Sequence, residues 1–191
     1  MPMDAAFTTF PTLTTERLIL RAIRREDAEA LFATFGDPVA MEFYGSPPHA
    51  RLDDTHAWID RVFARYQGGE GLRWGVTLKG GDDTLIGSCS LHRFGPGRAE
   101  TGYDLNRTYW GQGIMTEAMR AVLSYVFDVL ELHRVEAVID IANAGSKALL
   151  LKLGFTYEGN LRERYHGEKG YEDEHYFGLL RQEWDAGREE T

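Results

Sequence analysis

Short stretches in which apolar and polar residues alternate occur along much of the chain. Leu18 and Leu20 alternate with arginines, and Trp74, Val76 and Leu78 repeat the same two-residue period. Such alternation is typical of strands with one face on a core. Together with glycine-rich turn signals, it predicts strands over residues 17–23, 74–78, 84–91, 100–105, 135–141, 155–158 and 171–180.

Apolar residues at helical spacing occupy the stretches between several of these strands. Ala28, Leu31 and Phe35 share one helical face, and Ala118 and Val122 begin another such stripe. Spacings of three and four residues are typical of amphipathic helices. The predicted helices cover residues 28–35, 53–67, 114–130 and 146–153. The fold class is therefore α/β, or mixed α+β.

The segment 103–118 carries the most informative chemistry. A strand-like alternation runs into a loop containing Gly111 and Gly113, and a long helix begins at once. The first amides of a helix lack intrahelical acceptors and carry positive partial charge, so they suit a phosphate or pyrophosphate. Paired glycines also occur in simple chain reversals. A Gly-Lys-Ser/Thr loop and the third glycine of a dinucleotide fingerprint are absent.

Several short motifs add to this segment, in a fixed order along the chain. They are Trp110-Gly111-Gln112-Gly113, Thr116-Glu117-Ala118, Leu132-His133-Arg134-Val135-Glu136-Ala137, Asn143 with Ser146, and Lys152-Leu153-Gly154-Phe155. Together they closely resemble the GNAT acetyltransferase superfamily, specifically its ribosomal-protein alanine N-acetyltransferase branch (RimJ/RimL type). The opening Thr15-Glu16-Arg17-Leu18-Ile19-Leu20-Arg21 resembles the first strand of that branch.

The resemblance implies a twisted, mostly antiparallel central sheet flanked by helices. Its fourth and fifth strands, here 100–105 and 135–141, would splay apart, and the pantetheine arm of acetyl-CoA would lie in the gap. Residues 14–184 would form a single N-acetyltransferase domain. Residues 1–13 and 185–191 would be an N-terminal and a C-terminal tail.

The resemblance also implies a binding site for acetyl-CoA as co-substrate. Backbone groups of Tyr103, Asp104 and Leu105 would meet pantetheine and the acetyl carbonyl. Trp110 either contributes to this site or packs beneath the loop. The pyrophosphate would be held by the amides of Gly111, Gln112, Gly113, Ile114, Met115 and Thr116.

Asn143 and Ser146 stand where a predicted strand gives way to a helix. Both residue types are also favoured as helix N-caps, so a purely structural role is the alternative. The resemblance implies that Asn143 hydrogen-bonds CoA and that Ser146 protonates the departing CoA thiolate. Many GNAT enzymes use a tyrosine seven residues after the asparagine. Here that position is Leu150, which leaves serine or a bound water as the acid.

Glu100 is the candidate general base, because the branch often carries a carboxylate at the start of the fourth strand. A solvated strand residue is the alternative. An α-amine with a pKa near 7.8 is about a tenth neutral at pH 7, whereas lysine near 10.4 is neutral less than about one time in a thousand. An enzyme without a strong base would therefore suit an N-terminal amine or another amine of low pKa. The predicted function is direct acetyl transfer from acetyl-CoA to a primary amine, and the alternative is an inactive CoA-binding regulator or scaffold.

Charge and composition limit the classes of molecule that the chain is expected to bind. The 191 residues carry a net charge of −9, which argues against nucleic-acid binding because that requires a basic face. No apolar stretch approaches a membrane span, and the histidines and Cys89 lack metal-ligand spacing. A single cysteine suits a reducing cytoplasm, the expected location. We expect a peptide or small-molecule amine as acceptor and no metal; a homodimer stays open.

Overall fold

One sheet holds all the strands of the described chain in the order β1–β2–β3–β4–β5–β6–β8–β7. A computed structural model describes residues 2–167 and 170–189. The strands are β1 (Leu13–Thr14), β2 (Leu18–Ala22), β3 (Gly71–Leu78), β4 (Leu85–Gly95), β5 (Arg98–Leu105), β6 (Arg134–Asp140), β7 (Thr156–Gly167) and β8 (Gly170–Leu180). The α-helices are α1 (Pro2–Thr8), α2 (Ala28–Phe35), α3 (Pro38–Met41), α4 (Leu52–Gln67), α5 (Ile114–Ser124), α6 (Ala144–Lys152) and α7 (Arg181–Glu189).

Neighbouring strands run antiparallel except for β5 and β6, which are parallel. Those two strands pair only through Arg98–Glu100 with Arg134–Glu136, and then separate. The mixed fold, the mostly antiparallel sheet and the splayed strands are therefore confirmed. The splayed pair is β5 and β6 because the two-residue β1 precedes the first predicted strand.

Helices cover both faces of this sheet. Ala118, Met119 and Val122 of α5 belong to a buried cluster that also contains Trp74 and Val76 of β3. A second buried cluster includes residues of α2 and α4 together with Ile23 and Leu85. The first cluster takes side chains from β3, β4 and β5, whereas Leu85 of β4 is the strand residue of the second. Because successive strand residues face opposite sides, Leu85 and Ile86 belong to different clusters.

Several elements differ from their predicted extents or were not predicted, and three of them are the most informative. The helix after the glycine loop is α-helical only to Ser124, and Tyr125–Val129 continue it as a wider π-helical turn. β7 runs to Gly167 rather than ending at residue 158, since it pairs with the length of β8 through two register shifts. α7 was not predicted, because its apolar face is narrow.

Segments near both ends of the described chain pack against the rest of the protein. Ala6 is buried, and Phe7 and Phe10 pack on the core cluster, while Trp74 Nε1 donates to the carbonyl of Pro11 at 2.7 Å. In the segment 185–191, Arg188 forms an ion pair with Asp128 at 2.9 Å.

Residues 1, 190 and 191 lie outside the described part of the chain. The domain limits 14–184 remain a prediction, although packing extends beyond them. None of the described helices is both long enough and apolar enough to cross a membrane.

Candidate functional site

The loop before α5 depends on two glycines with left-handed backbone conformations. Gly111 and Gly113 both have φ near +73°, and Gly113 is the N-cap of α5. L-residues other than Asn and Asp rarely adopt this region. No side chain caps the helix, so the amides that open α5 keep their hydrogen-bonding capacity for another acceptor.

The loop is tied to the first strands through Glu117. Its Oε1 accepts from Thr15 Oγ1 at 2.5 Å and from the Arg17 amide at 2.9 Å, and its Oε2 accepts from Arg17 Nε at 2.6 Å. Burial opposes ionisation, but these hydrogen bonds lower the pKa of Glu117 overall. Arg17 also donates from Nη1 to the carbonyl of Gln112 at 3.1 Å.

Arg17 is a site residue that the sequence analysis did not identify. Its side chain is 47% exposed, and Nη2 lies 3.7 Å from where a Cβ on Gly113 would be. The guanidinium therefore pairs with Glu117 through Nε and presents Nη2 as a further donor beside the uncapped amides. The motif Thr116-Glu117-Ala118 was the available signal, since its glutamate needs a basic partner.

Trp110 connects the loop to the end of β5. Its Nε1 donates to the carbonyl of Leu105 at 2.8 Å, and the residue is 46% exposed. The side chain is therefore partly exposed and held against the end of β5, and its role in the site stays a prediction. Gln112 makes a similar local contact, donating from Nε2 to the carbonyl of Thr108 at 3.0 Å.

Three further cofactor-site candidates form the first turn of α5. The side chains of Ile114 and Met115 are buried in the core, so only their backbones could meet a ligand, and Thr116 is half-buried. Tyr103 and Leu105 lie on the part of β5 beyond its pairing with β6. The edge of β5 that faces β6 has no strand partner there, which is the geometry that an inserted extended group requires.

Ser146 meets β5 across this gap. Ser146 Oγ and Tyr103 OH are 2.6 Å apart, so one hydroxyl donates to the other. Burial raises the pKa of Tyr103, with the hydrogen bond to Ser146 opposing it. Asn143 is the N-cap of α6, and its Oδ1 accepts from the Ser146 amide at 2.9 Å. The structural role is therefore present, and the amide NH2 of Asn143 is the group left for a ligand.

Glu100 lies elsewhere, at the closed end of the gap. It is in register with Glu136 of β6, about 10 Å along the strand from Tyr103. Arg93 Nη1 contacts its carboxylate at 2.9 Å and 3.2 Å, and His92 Nε2 at 3.3 Å. Burial opposes ionisation, but these contacts lower the pKa of Glu100 overall. The structure does not bring Glu100 together with Ser146.

The described residues offer neither a group of metal ligands nor an accessible thiol. Over the described ranges, no three His, Cys, Asp or Glu residues are grouped as metal ligands would be. Cys89 is buried against Met115, with the two sulfurs 3.5 Å apart, and burial raises the pKa of its thiol.

Comparison with known proteins gives the family. A family model described as an acetyltransferase (GNAT) domain matches residues 17–156. The uncharacterised N-acetyltransferase YoaA of Bacillus subtilis is 38% identical over 156 residues, covering 81% of this chain and 88% of YoaA. The ribosomal-protein-serine acetyltransferase of Escherichia coli is 32% identical over 101 residues, 52% of this chain and 56% of that protein.

The fold agrees with these sequence matches. The crystal structure of a GNAT-family acetyltransferase from Bacillus anthracis has a TM-score of 0.80 and 25% identity, covering 90% of this chain and 99% of that one. This chain belongs to the GNAT acetyltransferase family, with ribosomal-protein acetyltransferases among its relatives, and is an acyl-CoA-dependent N-acetyltransferase.

Proposed function

We propose that this enzyme acetylates the α-amine at the N-terminus of a protein or peptide, with acetyl-CoA as donor. The observation that carries the proposal is the uncapped start of α5 beside the unpaired edge of β5. An anion site therefore adjoins a strand edge that can hydrogen-bond an extended, amide-containing group. A diphosphate joined to a pantetheine arm has this combination of features.

The residues present fit that donor. The amides of residues 111–116 and the guanidinium of Arg17 would bind the pyrophosphate. Backbone groups of Tyr103, Asp104 and Leu105 would bind pantetheine and orient the acetyl carbonyl, stabilising charge that develops on its oxygen. The NH2 group of Asn143 would donate to CoA.

Tyr103 and Ser146 would supply the proton that the departing sulfur needs. Attack of a neutral amine on the thioester carbonyl forms the C–N bond and breaks the C–S bond. Ser146 Oγ would give a proton to the thiolate and regain one from Tyr103 OH, its 2.6 Å partner. The proton that the attacking nitrogen loses as the amide forms would then restore Tyr103. Since burial raises the pKa of Tyr103, the phenol keeps its proton at neutral pH. A phenol from β5 would thus stand in for the tyrosine that Leu150 replaces.

The acceptor is argued from basicity and from relatives. An α-amine with a pKa near 7.8 is about a tenth neutral at pH 7, far more than lysine. One relative is named a ribosomal-protein-serine acetyltransferase and another a ribosomal protein uS5 alanine N-acetyltransferase. Both names describe protein acceptors, which favours a protein N-terminus over a polyamine or aminoglycoside.

A panel of acceptors tests this function. Release of free CoA thiol is measured with peptides beginning in alanine or serine, with a lysine peptide whose N-terminus is blocked, and with spermidine and kanamycin. We expect turnover with the free N-termini at least about tenfold above that with the blocked peptide, following the difference in neutral amine. Faster turnover with spermidine or kanamycin would refute the acceptor assignment. Absence of turnover with every amine would refute transfer itself.

A further inference from the structure

A buried charge pair lies on the sheet face opposite α5. The carboxylate of Asp104 is 4% exposed, and its Oδ2 accepts from Arg73 Nη1 at 3.0 Å and from Ser88 Oγ at 2.5 Å. Its Oδ1 is buried and has no hydrogen-bond partner among the described residues. Buried carboxylate oxygens are normally satisfied, because an unmet one carries a desolvation cost.

The position of Asp104 along β5 links this carboxylate to the candidate site. Ser88 lies on β4 and Arg73 on β3, so both donors to Oδ2 come from the strands on one side of β5. On its other side, β5 pairs with β6 only as far as Glu100. Asp104 therefore belongs to the part of β5 that borders the gap, next to Tyr103.

The pair is held rigidly among aromatic side chains. Arg73 Nη2 donates to Ser90 Oγ at 3.2 Å, and its guanidinium lies 5.0 Å from the ring centroid of Trp58. Tyr44 OH is 3.5 Å from Arg73 Nη1. These contacts hold the cation at Oδ2, and Oδ1 stays the unmet acceptor of Asp104 among the described residues.

Three titratable groups lie near Asp104: Arg73 on β3, Cys89 on β4, and Tyr44 in the segment after α3. Arg73 acts on the pKa of Asp104, whereas Asp104 raises the pKa of Cys89 and of Tyr44. Burial raises the pKa of Asp104, with Arg73 and Ser88 opposing it. A carboxylate with a raised pKa accepts a proton more readily than one that is held ionised.

We propose that Asp104 Oδ1 receives the proton of the acceptor's ammonium group. The inference rests on the proposed acetyl transfer. One N–H proton moves to Asp104, and the neutral nitrogen then attacks the thioester carbon. The C–N bond forms, the C–S bond breaks, and the sulfur leaves with its electron pair and takes a proton from Ser146. The second N–H proton of the amine replaces that proton through Tyr103. The proton on Asp104 returns to solvent. In this scheme Asp104, rather than Glu100, is the base.

Two acceptors that differ in charge test the assignment. A peptide with a free N-terminal serine is mostly an ammonium ion at pH 7, whereas hydroxylamine is mostly neutral. In Asp104→Asn we expect kcat/KM for the peptide to fall about 100-fold or more, the range of general base catalysis. The value for hydroxylamine should fall only a few-fold, and the calorimetric Kd for CoA should stay unchanged.

The matched control is Asp60→Asn on α4, which breaks a surface ion pair with Arg25 and should leave both acceptors unaffected. If Asp104→Asn does not fold, the double variant Arg73→Gln with Asp104→Asn removes both buried charges and should show the same difference between acceptors. Equal losses for the two acceptors, or no loss, would overturn the role of Asp104. A wild-type enzyme that acetylates neither acceptor would instead overturn the proposed function.

Discussion

The N-cap of α5 allows a sharp test of the pyrophosphate site with one pair of substitutions. Asn and Asp both tolerate the left-handed backbone of Gly113 better than other L-residues. Both are also good N-caps. Gly113→Asn and Gly113→Asp therefore impose the same strain and the same competition for the amides, and they differ only by one negative charge.

The structure sets the size of the expected difference. A carboxylate at this position would lie about 5 Å from a phosphate bound by the next amides, which at an effective dielectric constant near 20 costs about 3 kcal/mol. Arg17 Nη2, 3.7 Å from the new Cβ, would screen part of this. We expect about 1.5–2 kcal/mol to remain, a roughly 10- to 30-fold weaker Kd for CoA in Asp than in Asn.

Calorimetric titration with CoA at low and high salt measures this difference. The gap should narrow at high ionic strength, because the loop is exposed and screening is effective there. Thermal melting of both variants checks that the fold is unaffected, and capping by either residue should not lower the stability of α5. Equal CoA affinity of the two variants would refute the placement of the diphosphate at the start of α5.

Two further predictions concern the hydroxyl pair and the loop anchor. Tyr103→Phe should lower kcat about tenfold and Ser146→Ala about 100-fold, with the Kd for CoA unchanged by calorimetry; unaltered kcat in Ser146→Ala would remove its acid role. Glu117→Gln should reduce the free energy of unfolding in urea at neutral pH. Because the pKa of Glu117 is lowered in the folded state, its contribution is complete above the ordinary glutamate value and is lost as the pH falls through the folded one. The stability gap between wild type and Glu117→Gln should therefore close in acid, and a gap independent of pH would contradict this.

Local patterns in the sequence predicted the helices and strands better than they predicted which elements and side chains contact one another. The bounds of α2 and the glycine loop before α5 follow from spacing and backbone preference, which act over a few residues. The splay of β5 and β6 came from the resemblance alone, because periodicity does not reveal which strands lack a neighbour. Arg17 was missed since its partner Glu117 is 100 residues away along the chain.

Side-chain roles on β5 show the same limit. Tyr103 and Asp104 were assigned through their backbones, yet their side chains make the most informative contacts. The hydroxyl contact of Tyr103 depends on where α6 is placed, and the pairing of Asp104 depends on the register of β3 and β4. Neither relationship can be derived from local sequence.

β5 and β6 are paired at one end only, and a cluster of ion pairs lies at that end. Glu136 is buried there, where it accepts from Arg98 Nη1 at 2.6 Å and from Arg134 Nε at 2.9 Å. The ion pair with Arg98 joins β5 to β6, whereas the pair with Arg134 lies within β6. The separation of the two strands at this end is therefore set before any donor binds. Little binding free energy is then lost to ordering the backbone. The width of the gap proposed for the thioester would thus depend on charged residues that lie outside the gap.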